Sequence, residues 1–216
     1  MRVKICGLRS RADAAAAVAS GAFYGGLVFF PRSPRHLTLA DARWVTQAMP
    51  EHLIRVALTV DAEDADFEAI LEVVRFDMLQ LHGHETPERV ATIRQRFGLP
   101  VMKAVGIAAE EDLAVVDDYA SVVDMLLIDA RPLAGAAVPG GNGVAFDWRL
   151  IQGRRWPVPW MLAGGLTSAN VAEAVRLTGA DQVDVSSGVE SAPGLKSPRL
   201  ISDFVRAASD PTAALA

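Results

Sequence analysis

Short apolar or alternating runs recur along the whole chain, each followed by a stretch carrying helix-start signals, and that rhythm leaves few folds open. The strand-like runs are Val3 to Cys6, Gly26 to Phe30, Arg55 to Val60, Met78 to His82, Val101 to Val105, Met125 to Asp129, Trp160 to Ala163 and Gln182 to Ser186. Between them, Ser10 with Asp13 has capping-box spacing, and Thr38 with Asp41 and Asp61 with Asp64 are spaced like caps. Thr86-Pro87 and Ser197-Pro198 set a proline at the first helical position. Eight runs in 216 residues leave about 27 residues per strand–helix unit, enough for a βα module. Strict alternation predicts a parallel sheet, either open and doubly wound or closed. The count of eight, with no proline inside a run, predicts an α/β single-domain (β/α)8 TIM barrel. No linker rich in Pro, Gly or Ser divides the chain, so residues 1–208 read as the barrel and 209–216 as a frayed tail.

Several runs carry polar residues at period two: Lys4 and Cys6, Gln80 and His82, Lys103, Asp129, Asp184. In a barrel alternate positions point inward, and the last inward residue of each strand lies at the catalytic face. Cys6, His82 and Asp129 occupy such ends. Lys4 and Asp184 are expected to pair, because strands one and eight become neighbours on closure and a charge inside a sheet is costly alone.

A net charge of −5 with no basic run argues against a nucleic-acid partner. It leaves anionic small molecules open, since local dipoles and single Arg or Lys side chains hold phosphate whatever the net charge. A single cysteine excludes an intramolecular disulfide and a Cys-rich zinc site, and four isolated His give no metal-ligand spacing, so no metal is expected. No apolar stretch approaches membrane-spanning length and no secretory pattern opens the chain, so a cytoplasmic protein with no membrane partner is expected.

Three glycine-rich turns follow the last three strands: Gly140-Gly141-Asn142-Gly143, Gly164-Gly165 and Ser187-Gly188. Such turns let backbone N–H groups converge on an anion, and barrels commonly hold phosphate after strands seven and eight. Phe30-Pro31-Arg32-Ser33-Pro34-Arg35 stiffens a loop carrying two guanidinium groups. That loop suits carboxylate capture, or is a solvated basic loop. Cys6 reads either as a small buried hydrophobe or as a reactive thiol. His82 reads as a rival base or as a hydrogen-bonded interior group supporting substrate or barrel. Asp147 is expected to cap a helix after strand six. The tryptophans are expected to pack in the core, with one a candidate for lining an aromatic substrate.

Lys4-Ile5-Cys6-Gly7-Leu8, Gly26 to Arg35, Gln80-Leu81-His82-Gly83, Met102-Lys103-Ala104 and Leu127-Ile128-Asp129 follow one another in order. Gly140 to Gly143 with Phe146-Asp147-Trp148, Leu162 to Leu166, Asn170-Val171 and Val183 to Glu190 complete the set. Together these blocks resemble the phosphoribosylanthranilate isomerase family of tryptophan biosynthesis over almost the whole chain. Thr59, Asp61 and Val144 depart from the usual pattern, and Ala130 to Pro139 is longer than usual.

The resemblance implies a cofactor-free Amadori rearrangement of N-(5-phospho-β-D-ribosyl)anthranilate to 1-(2-carboxyphenylamino)-1-deoxy-D-ribulose 5-phosphate. It implies Asp129 as general acid, Cys6 as general base and Arg35 on the anthranilate carboxylate. The turns at Gly141, Asn142 and Gly143, at Gly164 and Gly165, and at Ser187 and Gly188 would hold the phosphate, with His82 and Asp184 supporting the substrate. A small-molecule substrate is then the expected partner, and a monomer or homodimer the expected assembly. The alternatives are another phosphosugar isomerase and a non-catalytic phosphosugar-binding barrel, which would have no need of the acid and base.

Overall fold

In the computed structural model, which describes residues 1–131, 138–141, 143 and 145–210, eight parallel strands close into a barrel in sequence order. They are β1 (Arg2–Cys6), β2 (Tyr24–Phe29), β3 (Ile54–Thr59), β4 (Met78–Leu81), β5 (Val101–Ile107), β6 (Met125–Ala130), β7 (Trp160–Leu162) and β8 (Gln182–Val185). Each overlaps an expected run, and the alternative of an open sheet is excluded by the pairing of β1 with β8. That pairing sets Lys4 directly opposite Asp184, and Lys4 Nζ lies 2.9 Å from Asp184 Oδ1, the contact expected from the sequence.

Among the described residues, seven helices cover the barrel: α1 (Arg11–Ala19), α2 (Leu39–Thr46), α3 (Asp64–Val73), α4 (Pro87–Phe97), α5 (Ala114–Ala120), α6 (Val171–Thr178) and α7 (Pro198–Ser209). Local chemistry starts them. The Ser10–Asp13 capping box is formed in both directions, and Thr86 caps α4 ahead of Pro87, with Gly98 ending it in the left-handed conformation. Two starts differ from expectation. Helix α3 is capped at Glu63 with Asp66, while Asp61, at φ 49°, accepts a hydrogen bond from the His84 N–H. After β6, Asp147 caps only a four-residue 3-10 turn, Trp148–Ile151, in place of a full helix.

The core divides into two layers. Inside the barrel, Tyr24, Val56, Met78, Met102, Leu127 and Met161 fill the lower levels. Outside it, Val3, Ile5, Leu27, Leu79 and their like pack under the helices. Lys103 belongs to the outer layer, not the inner face its period-two position suggests. Its neighbours Met102 and Ala104 take the interior, and Lys103 Nζ meets Glu85 Oε2 at 2.8 Å and the Gly83 carbonyl at 2.7 Å. A hairpin absent from the sequence reading, β9 (Glu190–Ala192) with β10 (Leu195–Lys196), rises over the β8 end. No helix among the described residues is long and apolar enough to cross a membrane. The expected tail lies, from residue 211, outside the described residues.

Helix α7 returns to close the shell against α1 and α6, burying Ile201, Phe204, Val205 and Ala208 at helical spacing. Phe204 is fully buried. Phe204→Ala is therefore expected to lower the unfolding free energy by about 3–5 kcal/mol, read from denaturant midpoints at constant slope.

Candidate active site

The inward positions at the carboxyl ends of the strands meet in one cavity of about 440 Å³. Its polar wall includes Cys6, His82, Asp129, Asp184, Ser186 and Arg35; its apolar wall includes Val28, Phe30, Leu58 and Val60. A second cavity of about 430 Å³ adjoins it, sharing Asp129, Gly140, Gly141, Asp184 and Ser186. Alternation explains the membership: Cys6 follows Lys4, His82 follows Gln80, and Ser186 follows Asp184, each two residues on along the inner face.

Asp129 is held by both oxygens. Its Oδ1 accepts from the Ala130 N–H at 2.8 Å, and its Oδ2 stands 3.3 Å from His82 Nε2. The Gln80 amide nitrogen lies 3.1 Å from His82 Nδ1. With that nitrogen donating, Nδ1 accepts, and the imidazole proton sits on Nε2, directed at Asp129. Gly140 closes over this pair, since a Cβ there would lie 2.7 Å from His82 Nε2 and 3.1 Å from Asp129 Oδ2. The loop after β6 can therefore come this near only without a side chain.

Cys6 lies across the cavity and is buried. Burial pushes its thiol above the ordinary range, and the nearby Lys4 ammonium draws it back in part, with Asp184 acting upward and Lys196 downward. Burial also works against the Lys4 charge, but Asp184 and Cys6 outweigh it and hold Lys4 above the usual lysine value. The base of the pocket thus contains a neutral thiol above a buried ion pair.

Arg35 projects from the loop after β2 and is buried, not solvated as one reading of that loop allowed. Its Nε and Nη2 reach the two oxygens of Glu190 at 2.7 and 2.9 Å, and Nη2 also donates to the Gly141 carbonyl at 3.2 Å. Glu190 is shared with Lys196, whose Nζ lies 2.7 Å from its Oε1 and 3.0 Å from the Ser186 carbonyl. Burial disfavours the Glu190 carboxylate, yet Arg35 and Lys196 hold it below its ordinary value. Ser186 in turn donates to the Cys6 carbonyl at 3.2 Å. Sequence reasoning missed Ser186, Glu190 and Lys196. Alternation from Gln182 through Asp184 would have found Ser186; the other two come from the unanticipated hairpin.

The glycine turns separate in role. Gly164 and Gly165, at φ 88° and 61°, form consecutive left-handed residues that line the second cavity with Gly140, Gly141 and Ser187. That backbone is strained for any other residue and turns successive N–H groups to one side. Gly188 is outside this lining, its glycine demanded by the Leu166 carbonyl against it. Gly143 also stands outside the lining, and Asn142 lies outside the described residues. The aromatic ring at the cavity is Phe30; no tryptophan lines it among the described residues, Trp156 and Trp160 being stacked on each other and Trp44 exposed.

The family model for N-(5'-phosphoribosyl)anthranilate (PRA) isomerase matches residues 3–207. The chain belongs to this family. It is 63% identical to the N-(5'-phosphoribosyl)anthranilate isomerase of Cereibacter sphaeroides, over 96% of this chain and 98% of that protein. The solved phosphoribosyl anthranilate isomerase of Thermotoga maritima superposes with a TM-score of 0.86 at 35% identity, covering 97% of this chain and 98% of that one. A PRAI solved in complex with reduced 1-(o-carboxyphenylamino)-1-deoxyribulose 5-phosphate superposes with a TM-score of 0.84 at 34% identity, with the same coverage. PRA isomerase membership fixes the chain as an enzyme and leaves the roles of its residues to their chemistry.

Because Cys6 is the sole cysteine, its ionisation can be read directly. Its raised pKa leaves it protonated at neutral pH, so alkylation by iodoacetamide is expected to be slower there than for a free cysteine. The rate should rise only at alkaline pH, with a midpoint above that of a free thiol measured alongside.

Proposed function

We propose that the protein converts N-(5-phospho-β-D-ribosyl)anthranilate to 1-(2-carboxyphenylamino)-1-deoxy-D-ribulose 5-phosphate, the isomerisation step of tryptophan biosynthesis, with Asp129 as general acid and Cys6 as general base. The observation that carries this reading is the meeting of a carboxyl and a thiol, from opposite sides of the barrel, in one pocket beside a glycine-lined anion site. An aromatic ring with a carboxylate at one end and a phosphate at the other matches the apolar wall, Arg35 and the Gly164–Gly165 and Ser187 turns in order.

Asp129 delivers a proton from Oδ2 to the ribose ring oxygen, since Oδ1 is engaged by the Ala130 N–H. The C1′–O bond breaks and the nitrogen lone pair forms the iminium. His82 Nε2–H then donates to the carboxylate left behind. Cys6, its thiol proton first lost to solvent, takes the proton from C2′ as the thiolate; the C–H electron pair becomes the C1′–C2′ double bond and neutralises the iminium. The enolamine tautomerises to the ketone, losing its hydroxyl proton and gaining one at C1′. Cys6 has gained the proton that Asp129 lost, and exchange through solvent restores both. Every step is a proton transfer, the chemistry that a positioned acid and base accelerate.

Arg35, its guanidinium fixed by Glu190, holds the anthranilate carboxylate, and Asp184 and His82 support the sugar. Cys6→Ala and Asp129→Asn are each expected to lower turnover of freshly made phosphoribosylanthranilate by about 10² or more, followed by loss of anthranilate fluorescence. Near-normal turnover in either variant removes that residue from its role. A folded parent protein with no turnover would instead point to a phosphosugar-binding barrel.

A further inference from the structure

Lys4 has no part in the proton transfers above, yet it is fully buried beneath them. A lysine inside a barrel loses the hydration of its ammonium, a penalty of several kcal/mol that a single partner offsets only in good geometry. Asp184 is one partner, at 2.9 Å. The second is found through Gly26, which β1–β2 pairing sets opposite Cys6. A Cβ built on Gly26 would lie 3.1 Å from Lys4 Nζ and 3.3 Å from Cys6 Sγ. Ammonium and sulfur therefore crowd the same missing side chain, which also accounts for a glycine in the interior of a strand, where it is otherwise unfavourable.

We propose that Lys4 is a positioning residue for Cys6: its ammonium is the fixed counter-charge against which the Cys6 sulfur ionises. The inference rests on Cys6 as the base. Asp184, on β8, neutralises part of the Lys4 charge and holds the ammonium in place. The other charged and titratable groups facing the pocket are His82, Asp129 and Arg35, with Glu190 and Lys196 behind Arg35. Among the described residues, Lys196 is the other cation that acts on Cys6. Its amine is already spent on Glu190 and on both oxygens of Ser186, and Lys4 acts on Cys6 more strongly than it does. When Cys6 ionises, its proton leaves to solvent through the cavity and Lys4 stays protonated. When the thiolate takes the C2′ proton, the Lys4 charge returns to Asp184 alone.

The single cysteine makes this testable without substrate, by following thiolate absorbance or iodoacetamide alkylation against pH. Lys4→Met is expected to raise the Cys6 midpoint by about one pH unit or more and to lower turnover near neutrality about tenfold or more. The alkaline limb of the pH–rate profile should move up by the same amount. Removing Lys4 alone leaves Asp184 buried and unpaired, so Lys4→Met with Asp184→Asn serves where the single variant does not fold; its midpoint should also rise, by less. Gly26→Ala keeps Lys4 and Asp184 but sets a methyl against both the Lys4 ammonium and the Cys6 sulfur, and should move the midpoint in the same direction. An unchanged midpoint in the folded double variant and in Gly26→Ala, alongside an inactive Cys6→Ala, overturns the role of Lys4 alone. Full turnover by Cys6→Ala overturns both this role and the assignment of Cys6 as base.

Discussion

Closure of the barrel by β1 against β8 is the constraint on which the mouth depends. Its register sets Lys4 across from Asp184 inside the barrel, with the Tyr24 hydroxyl on Gln182 Oε1 at 2.6 Å one level below. Taking a lysine and a carboxylate out of water costs several kcal/mol each, and removing one partner alone is worse than removing both. A pair so placed penalises any slip in the register, because a shift of one residue would turn each charge into the apolar outer layer. The next residues along the same faces are Cys6, at the end of β1, and Ser186, just past the end of β8. The pocket therefore inherits its alignment from the ion pair under it.

A second buried pair fixes another part of the rim from outside the wall. Lys103 holds Glu85, which accepts from the N–H groups of Asp61 and Gly83, while the Tyr119 hydroxyl donates to the Glu85 carbonyl. These bonds tie the loop after β3, the loop after β4 and helix α5 to one residue, Glu85, the first two through its carboxylate and α5 through its backbone carbonyl. His82, at the start of the β4 loop, is thereby set at a defined height above Gln80 and opposite Asp129. The third cluster, Arg35 with Glu190 and Lys196, fixes the loop after β2 to the hairpin after β8. Each cluster places charge where loops must be rigid, and leaves the apolar wall of Val28, Leu58 and Val60 to shape.

This arrangement separates holding from chemistry. In the proposed reaction, Arg35 offers the substrate carboxylate a guanidinium already oriented by its bidentate partner Glu190, so little rotamer freedom is lost on binding. Asp129 has Oδ1 tied to the Ala130 N–H and Oδ2 beside His82 at the cavity, which in the proposed reaction fixes the oxygen from which a proton leaves. Besides burial, what acts on Cys6 is Lys4, by charge and by a side-chain hydrogen bond, with Asp184 and Lys196 acting by charge. Burial and the counter-charge pull its ionisation in opposite directions, and burial is the larger effect.

The eight-strand rhythm, the capping signals at Ser10, Thr86 and Ser197, and the apolar periodicity of α7 were legible in the chain because each depends on neighbours within one turn or one strand. Strand-end positions also selected Cys6, His82 and Asp129, since alternation along a strand is a local property. The chain by itself determined the fold class, the closed count and the residue types at the mouth. Three things were decided only in three dimensions: the face taken by Lys103, the engagement of Arg35 with Glu190, and the convergence of Lys4 and Cys6 on Gly26. Each joins residues far apart in sequence or on different strands, and the energy of such contacts depends on distance and desolvation, which no local pattern encodes. Residue order set which groups the barrel would carry to its mouth; closure set which of them would feel one another.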